Sequence, residues 1–398
     1  MAGSTTSLDS GAQEAPLPIA SLLALALAGF VTILTEALPA GLLPQISSGL
    51  AISEALAGQL VTVYAIGSLV AAIPLVAATQ GMRRRPLLLA AIAGFVVANT
   101  VTLFSGSYGV TMVARFLAGV SAGLLWAMLA GYAARMVPEH QKGRAIAIAM
   151  VGTPMALSLG VPAGTFLGNL VGWRTCFGVM SGVALVLMVW VRFKVPDFAG
   201  QVAGKRLSLK HVFTLAGVRP VLFVVLAFVL AHNILYTYIA PFLAASGLAE
   251  RTDLVLLVFG VACLMGIFIV GVLIDRHLRG LTLASTALFG LAAMVLGVAA
   301  DAPTLVYVAV ATWGLAFGGA ATLFQTAMAN TAGNAADVAQ SMLVTAWNMA
   351  IAGGGMIGGI LLDRLGVEAF SPALLVLLVA TLIVVWVASR HGFPALRR

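Results

Sequence analysis

The chain has 398 residues, 61% of them hydrophobic and only 9% charged, with a formal net charge of +8. Soluble domains carry about 25% charged residues, so this chain has no polar coat and most of its surface must face lipid. The positive charge is not a nucleic-acid signal, because the basic residues sit in short connections between apolar runs.

The first 17 residues contain Asp9 and Glu14 but no Lys or Arg. A secretory leader begins with a positive segment, so residues 1–17 read as a disordered cytoplasmic tail before an uncleaved first span. Twelve apolar runs follow, at about 18–45, 55–78, 86–105, 108–135, 143–170, 174–193, 217–245, 253–274, 281–299, 304–329, 338–362 and 368–389. About 20 apolar residues cross a bilayer core as a helix. A helix is also the open-chain form that satisfies its own backbone in lipid. The expected fold class is therefore an all-α integral membrane protein with twelve transmembrane helices.

Lys and Arg set the orientation. With the N-terminus in the cytoplasm, 17 of the 21 basic residues fall on the cytoplasmic side, including Arg83, Arg84, Arg85, Arg135, Lys142 and Arg144. Arg174, Arg251 and Arg364 fall outside, and Arg115 lies within a span. Both termini are thus expected in the cytoplasm.

The longest connection, 194–216, is polar, Gly-bearing and basic. It divides the chain into a half at 18–193 and a half at 217–398 with a short tail. The halves echo each other at an offset near 195–199 residues: RFLAGVSAG at 115–123 answers WGLAFGGAA at 313–321, and GVPAG at 160–164 answers GGMIGG at 354–359. Six-helix pseudo-repeats with a midplane site between them are the plan of many secondary transporters.

Glu36 is the one acid of thirteen placed deep in an apolar run. Ionisable groups in hydrocarbon are costly and usually carry a proton, an ion or a substrate. Arg115 is the one basic residue deep in a span. Glu36 lies roughly 13 Å and Arg115 roughly 10 Å from the outer ends of their runs, at 1.5 Å per residue. The two are expected to pair, or to share a polar network, in at least one conformation. His232 is the one intramembrane histidine of five, with Tyr236 one turn later on the same face. It is expected to serve as a further proton-coupling residue and, with Tyr236, as a substrate contact. Tyr64, Trp126, Asn233, Gln325 and Asn348 complete the expected substrate-binding set. Trp126 shares a face with Arg115 about three turns along.

In the fifth run, Gly152, Pro154, Gly160, Pro162 and Gly164 crowd one helix. Proline removes a backbone donor and glycine permits close contact. This helix is expected to kink and to pack closely across the half interface. Cys176 and Cys263 lie within spans and suggest neither a disulfide framework nor a metal site. GQVAGKR at 200–206 has the wrong spacing for a phosphate-binding loop. No cofactor or metal is expected, and the energy source is a proton gradient.

The segment GVLIDRHLRG at 271–280 resembles the G-x-L-x-D-R-x-x-R loop of the major facilitator superfamily. Gly271 is expected to let two helices approach. Asp275 is expected to meet a helix N-terminus or an arginine across the half interface. Arg276 and Arg279 are expected to hold the inner face by charge. The first-half copy, ATQGMRRRP, has Thr79 and Gln80 where the acid would stand. LTEALPAGLLPQIS, ARFLAGVSAGLLWAMLAGYAARMVPEHQKGRA, GTPMALSLGVPAGTFLGNLVGWR, AHNILYTYIAPFL and NAADVAQSMLVTAWNMAIAGGGMIGG extend the likeness over the whole chain. Together they resemble the drug:proton antiporter branch, and within it the bacterial sugar-efflux and arabinose-efflux permeases. The resemblance implies the major facilitator fold, a monomer in the bacterial inner membrane, and a non-enzyme. It also implies proton-driven export of a small neutral or weakly polar molecule: a sugar, a nucleoside or an amphenicol-type drug. Proton-coupled uptake and a non-transporting membrane receptor are the alternatives.

Overall fold

A computed structural model of the chain describes residues 17–72, 74–79, 81–138, 141–200 and 209–393. The expected tail lies outside these residues except for Leu17, and so do Gln80, Lys205, Arg206, Arg397 and Arg398. Twelve helices are long and apolar enough to cross a membrane: α1 (Ile19–Gly41), α2 (Glu54–Ala71), α3 (Arg84–Phe104), α4 (Tyr108–Arg135), α5 (Arg144–Val171), α6 (Trp173–Lys194), α7 (Val218–Thr237), α8 (Ala249–Ile274), α9 (Arg276–Val298), α10 (Pro303–Ala332), α11 (Val338–Leu365) and α12 (Val367–Val387). Among the described residues there is no strand. Large apolar side chains such as Phe104, Phe193, Phe268, Val298 and Trp386 stand exposed on the outside of the bundle. A surface of that kind matches lipid, not water.

Proline and glycine shape the helices locally. Pro39 lies inside α1, and the chain turns at Leu42 into a short helix, Leu43–Leu50. In α5, the segment Ala156–Gly160 opens into a π-turn just before Pro162. Proline has no N–H and its ring crowds the preceding turn, which one wider turn relieves. α7 ends at Thr237, and Ile239–Ala245 forms a separate short helix. α8 and α9, expected as two runs with a loop between, form one path from Thr252 to Val298, bent at His277 (φ −132°, ψ 25°).

Glycines set the closest approaches. A methyl added at Gly119 or Gly123 would overlap the backbone carbonyls of Tyr64 or Ser68, so α4 lies directly on α2. At Gly314 and Gly318 it would overlap the carbonyls of Phe259 and Cys263, so α10 lies on α8 in the same way. All four positions of the second contact are those of the first plus 195. Gly271 faces open space, contrary to its expected role at a helix contact. Gly266, one turn earlier, makes that contact instead, against Leu315 of α10.

The first and last six helices meet through α2 against α11 and α5 against α8. The glycines of α5 were expected at that interface, but they face α1 of the same half instead. Gly152 sits on Ala26, Gly160 on Phe30, Gly164 on Leu38 and Gly168 on Leu42. Their four- and eight-residue spacing forms one ridge along the helix. A different face of α5 presents Ser158 to Gly260 of α8.

The α6–α7 connection marks one end of the bundle, here the linker end. There Val195–Ala199 straps across the first six helices. Asp197 accepts hydrogen bonds from Arg83 Nε (2.6 Å) and from the backbone N–H of Arg85 (3.0 Å). Arg84 N–H donates to Phe198 O (2.9 Å), Tyr132 Oη to Pro196 O (2.7 Å) and Arg135 Nη1 to Ala199 O (2.9 Å). The acid missing from the first-half loop is thus supplied from 112 residues away. It sits at the N-terminus of α3, where a carboxylate favours the helix dipole. In the second half, Arg279 donates to Trp386 O (2.9 Å) and stacks on that ring. It ties α9 to α12, not one half to the other, and Arg276 is exposed. The Asp275 side chain lies outside the described atoms.

Candidate transport site

Pro39 gives the N-terminal part of the site its starting point. Without an N–H, it leaves the carbonyl of Thr35, four residues back, without its helical donor. Arg115 of α4 fills the place: Nη1 donates to Thr35 O (2.5 Å), Nη2 to Glu36 O (3.3 Å) and Nε to Leu60 O of α2 (3.3 Å). The guanidinium also stands over the Tyr64 ring, 4.8 Å from its centroid. Arg115 is 1% exposed, so this is a fully buried cation held by three carbonyls and a π-face. Tyr64 Oη donates to Thr32 O (2.9 Å), and Asn99 Nδ2 of α3 to Thr35 Oγ1 (3.3 Å). Four helices therefore meet in one polar knot.

Glu36 and Arg115 share this network as expected, but through the backbone oxygen of Glu36. Among the described residues the ion pair is Arg83 with Asp197. The Glu36 carboxylate is half-buried and lies within electrostatic range of Arg115, Tyr64 and, on α7, Tyr236.

In the second half, His232 is buried among rings. It stacks on Phe317 of α10 (3.5 Å between centroids), on Tyr236 (5.1 Å) and beside Trp313 (5.3 Å). Phe259 of α8 closes the group at 4.5 Å from Trp313. His232 Nδ1, Tyr236 Oη and Trp313 Nε1 are all buried without a hydrogen-bond partner.

The other expected residues divide. Tyr64, His232 and Tyr236 lie in the two clusters. Asn233 is buried against Gly354 of α11 and donates to Val229 O (2.9 Å); Asn348 donates to Val344 O (3.0 Å). These two amides serve their own helices. Trp126 packs beside Gly29 of α1, toward the linker end. Gln325 is exposed, its carbonyl accepting from Gln340, and is not brought to either cluster. Thr32, Thr35, Asn99, Phe259, Trp313 and Phe317 were not foreseen. Threonines and aromatics in apolar runs read as packing, and no signal in the sequence marks these positions.

At the end opposite the linker the halves are latched. Gln59 Nε2 of α2 donates to Tyr238 Oη (3.2 Å) and to Gly355 O of α11 (3.1 Å), while Tyr238 Oη bonds Gly355 O (2.7 Å) and Ala55 O (3.3 Å). Gly358 and Gly359 leave room for the tyrosine ring.

Residues 25–355 match the family model of the Major Facilitator Superfamily. The chain is 30% identical to a transcription regulatory protein, OpdE, of Pseudomonas aeruginosa, over 93% of this chain and 94% of that protein. It is 30% identical to a probable sugar efflux transporter of Mannheimia succiniciproducens, over 87% of each. A probable sugar efflux transporter of Helicobacter pylori is 25% identical, over 86% of this chain and 88% of that protein. Twelve apolar helices, glycine contacts repeated at a fixed offset and the family match agree: the chain belongs to the Major Facilitator Superfamily and is a multi-pass membrane transporter, not an enzyme.

Proposed function

We propose that this transporter exports a small neutral or weakly polar organic molecule in exchange for protons, by alternating access of its two halves, working as a monomer in the bacterial inner membrane. The linker end faces the cytoplasm, because Arg83, Arg84, Arg85, Arg135, Arg192 and Lys194 gather there around the strap. The latch of Gln59, Tyr238 and Gly355 then joins the halves on the outer side.

One observation carries the proton step. Arg115 is engaged by carbonyls of Thr35, Glu36 and Leu60, not by a carboxylate. Glu36 therefore stands in the membrane interior beside a cation that does not clamp it, and its carboxyl can take up and release a proton. Solvation that changes as the halves rock would load the proton on the acidic outside and release it inside. The solute favours the deprotonated carrier, so the two exchange.

The test is solute-evoked proton movement in proteoliposomes, with a panel of sugars, nucleosides and amphenicols. Antiport and symport give opposite signs, and uptake is the reading that the symport sign would establish. Glu36→Gln is expected to abolish pH-driven efflux while keeping solute counterflow. Undiminished pH-driven transport in that variant would overturn the proton role. A regulatory receptor is the second reading, favoured by the name of the Pseudomonas relative; it predicts binding with no flux of any solute in the panel.

A further inference from the structure

We infer that Thr62 is the reserve donor for the carbonyl of Gly355. Its hydroxyl takes that carbonyl when Gln59 and Tyr238 let go, and so stabilises the conformation in which the halves have parted opposite the linker. The inference rests on the alternating-access reading above and names a contact that the second conformation makes.

A buried hydroxyl without a partner is the starting point. Thr62 is 5% exposed, and its Oγ1 has no hydrogen-bond partner. On a helix such a hydroxyl has a ready acceptor in the carbonyl one turn back. Thr32, Thr102, Thr165 and Thr286 all use theirs. Thr62 does not. Buried polar groups are nearly always hydrogen-bonded, and leaving one unpaired is costly. A conformation that satisfies the hydroxyl recovers that cost.

Place identifies the partner. A methyl added at Gly355 of α11 would overlap the Thr62 hydroxyl, so the side chain of α2 lies on the backbone of the other half. The Gly355 carbonyl is already taken, by Gln59 Nε2 (3.1 Å) and Tyr238 Oη (2.7 Å). A carbonyl oxygen has two lone pairs, and these two donors occupy them. One acceptor is thus full while a third donor beside it goes unanswered.

Depth sets the order of release. α2 starts at Glu54, at the end opposite the linker. Gln59 lies five residues in and Thr62 eight. The two share a face, and Thr62 is roughly 4.5 Å deeper along the axis. Helices that tilt apart at one end lose the contact nearest that end first. Gln59 is drawn off while Thr62 still lies against Gly355. The carbonyl then loses its two donors, and the hydroxyl gains its first acceptor. The parted halves keep one bond where two unpaired groups would otherwise stand.

The other seam between the halves has a similar arrangement. Ser158 of α5 is 0% exposed, its Oγ is unpartnered, and its backbone lies against Gly260 of α8. Thr153 and Thr237 are unpartnered as well. What sets Thr62 apart is the shared acceptor beside it.

The test uses the full chain in nanodiscs, spin-labelled at positions 51 and 247, with the latched and parted populations read by pulsed dipolar spectroscopy. Gln59→Ala supplies a background rich in the parted state. Thr62→Val keeps the shape of the side chain and removes the donor. In that background it is expected to lower the parted-to-latched ratio roughly fivefold, the worth of one hydrogen bond. Thr62→Ser keeps the hydroxyl and should hold the ratio. Thr102→Val, which removes a hydroxyl bonded within α3, should leave it unchanged and shows that loss of a hydroxyl as such is not the cause. The inference is overturned if Thr62→Val leaves the ratio unchanged or raises it, or if Thr62→Ser lowers it as far as valine does. If Thr62→Val does not fold, Thr62→Ala takes its place with the same expected sign. Two populations that ignore Thr62 would leave alternating access standing without this contact. A single population in both parent and Gln59→Ala would refute alternating access and the inference with it.

Discussion

Arg115 donates to the carbonyl of Thr35 at 2.5 Å, the one carbonyl of α1 that Pro39 deprives of its helical partner. The break in one helix is thus closed by a side chain from another. Arg115→Lys keeps the charge but loses the planar fork that reaches three carbonyls. Hydrogen bonds to charged groups are each worth about 1.5–3 kcal/mol, so a loss of about 3 kcal/mol in unfolding free energy is expected. Adding Pro39→Ala restores an N–H for Thr35 and should recover about 1 kcal/mol in the lysine background, but none in the parent. Thermal unfolding of the four proteins in nanodiscs measures the coupling; purely additive effects would disprove the relationship.

Gly119 and Gly314 occupy equivalent places, so their substitutions should behave alike. Alanine at either overlaps a backbone carbonyl that cannot move without parting two helices. A cost of about 1–3 kcal/mol is expected from overpacking. Gly271→Ala meets open space and should be neutral or stabilising by up to ~1 kcal/mol, since alanine is the better helix former. A loss at Gly271 matching the other two would contradict this packing.

Gln59→Ala removes two of the hydrogen bonds that join the halves opposite the linker. At about 1 kcal/mol each, their loss should shift the opening equilibrium at that end roughly 30-fold. Spin labels at Ala51 and Gly247 would report it as a longer-distance population in pulsed dipolar spectroscopy. An unchanged distance distribution would show that the latch holds nothing.

Slight burial works to raise the Asp197 pKa, but the Arg85 N–H and the Arg83 guanidinium outweigh it and hold the carboxyl below its usual value. A carboxylate with a lowered folded pKa stabilises above its unfolded pKa, about 3.9. That contribution is lost as pH falls through the folded value. The strap should therefore be indifferent to pH between about 5 and 8 and loosen below about 4. Hydrogen exchange at Arg84 and Arg85 is the readout. Asp197→Asn should show the loosened rate at neutral pH, with at most about 1 kcal/mol of global effect because Arg83 is exposed.

The twelve helices were legible from apolar run length, and a shared network of Glu36 and Arg115 from isolated charge in hydrocarbon, which has few explanations. The mode of their contact was not: a carbonyl freed by Pro39 becomes an acceptor only once α4 is placed beside α1. Asp197 was hidden for a different reason. It stands in a polar connection far from Arg83, where nothing local distinguishes a cap from a solvated acid. The ring cluster was half legible. His232 and Tyr236 stood out as polar, whereas Trp313, Phe259 and Phe317 look the same whether they face lipid or one another. Periodicity foresaw the glycine ridge of α5 but not which neighbour it faces, since both α1 and α8 lie beside it.

The strap also sets a leash. Ala199 is pinned to the first half by Arg135, and the helix Leu209–Thr214 packs on α7 and α11 of the second. The chain between Ala199 and Leu209 can reach at most roughly 35 Å when fully drawn out. That contour caps how far the linker end can gape in any state. Inserting residues there, without touching a single side-chain contact, would let the halves swing wider.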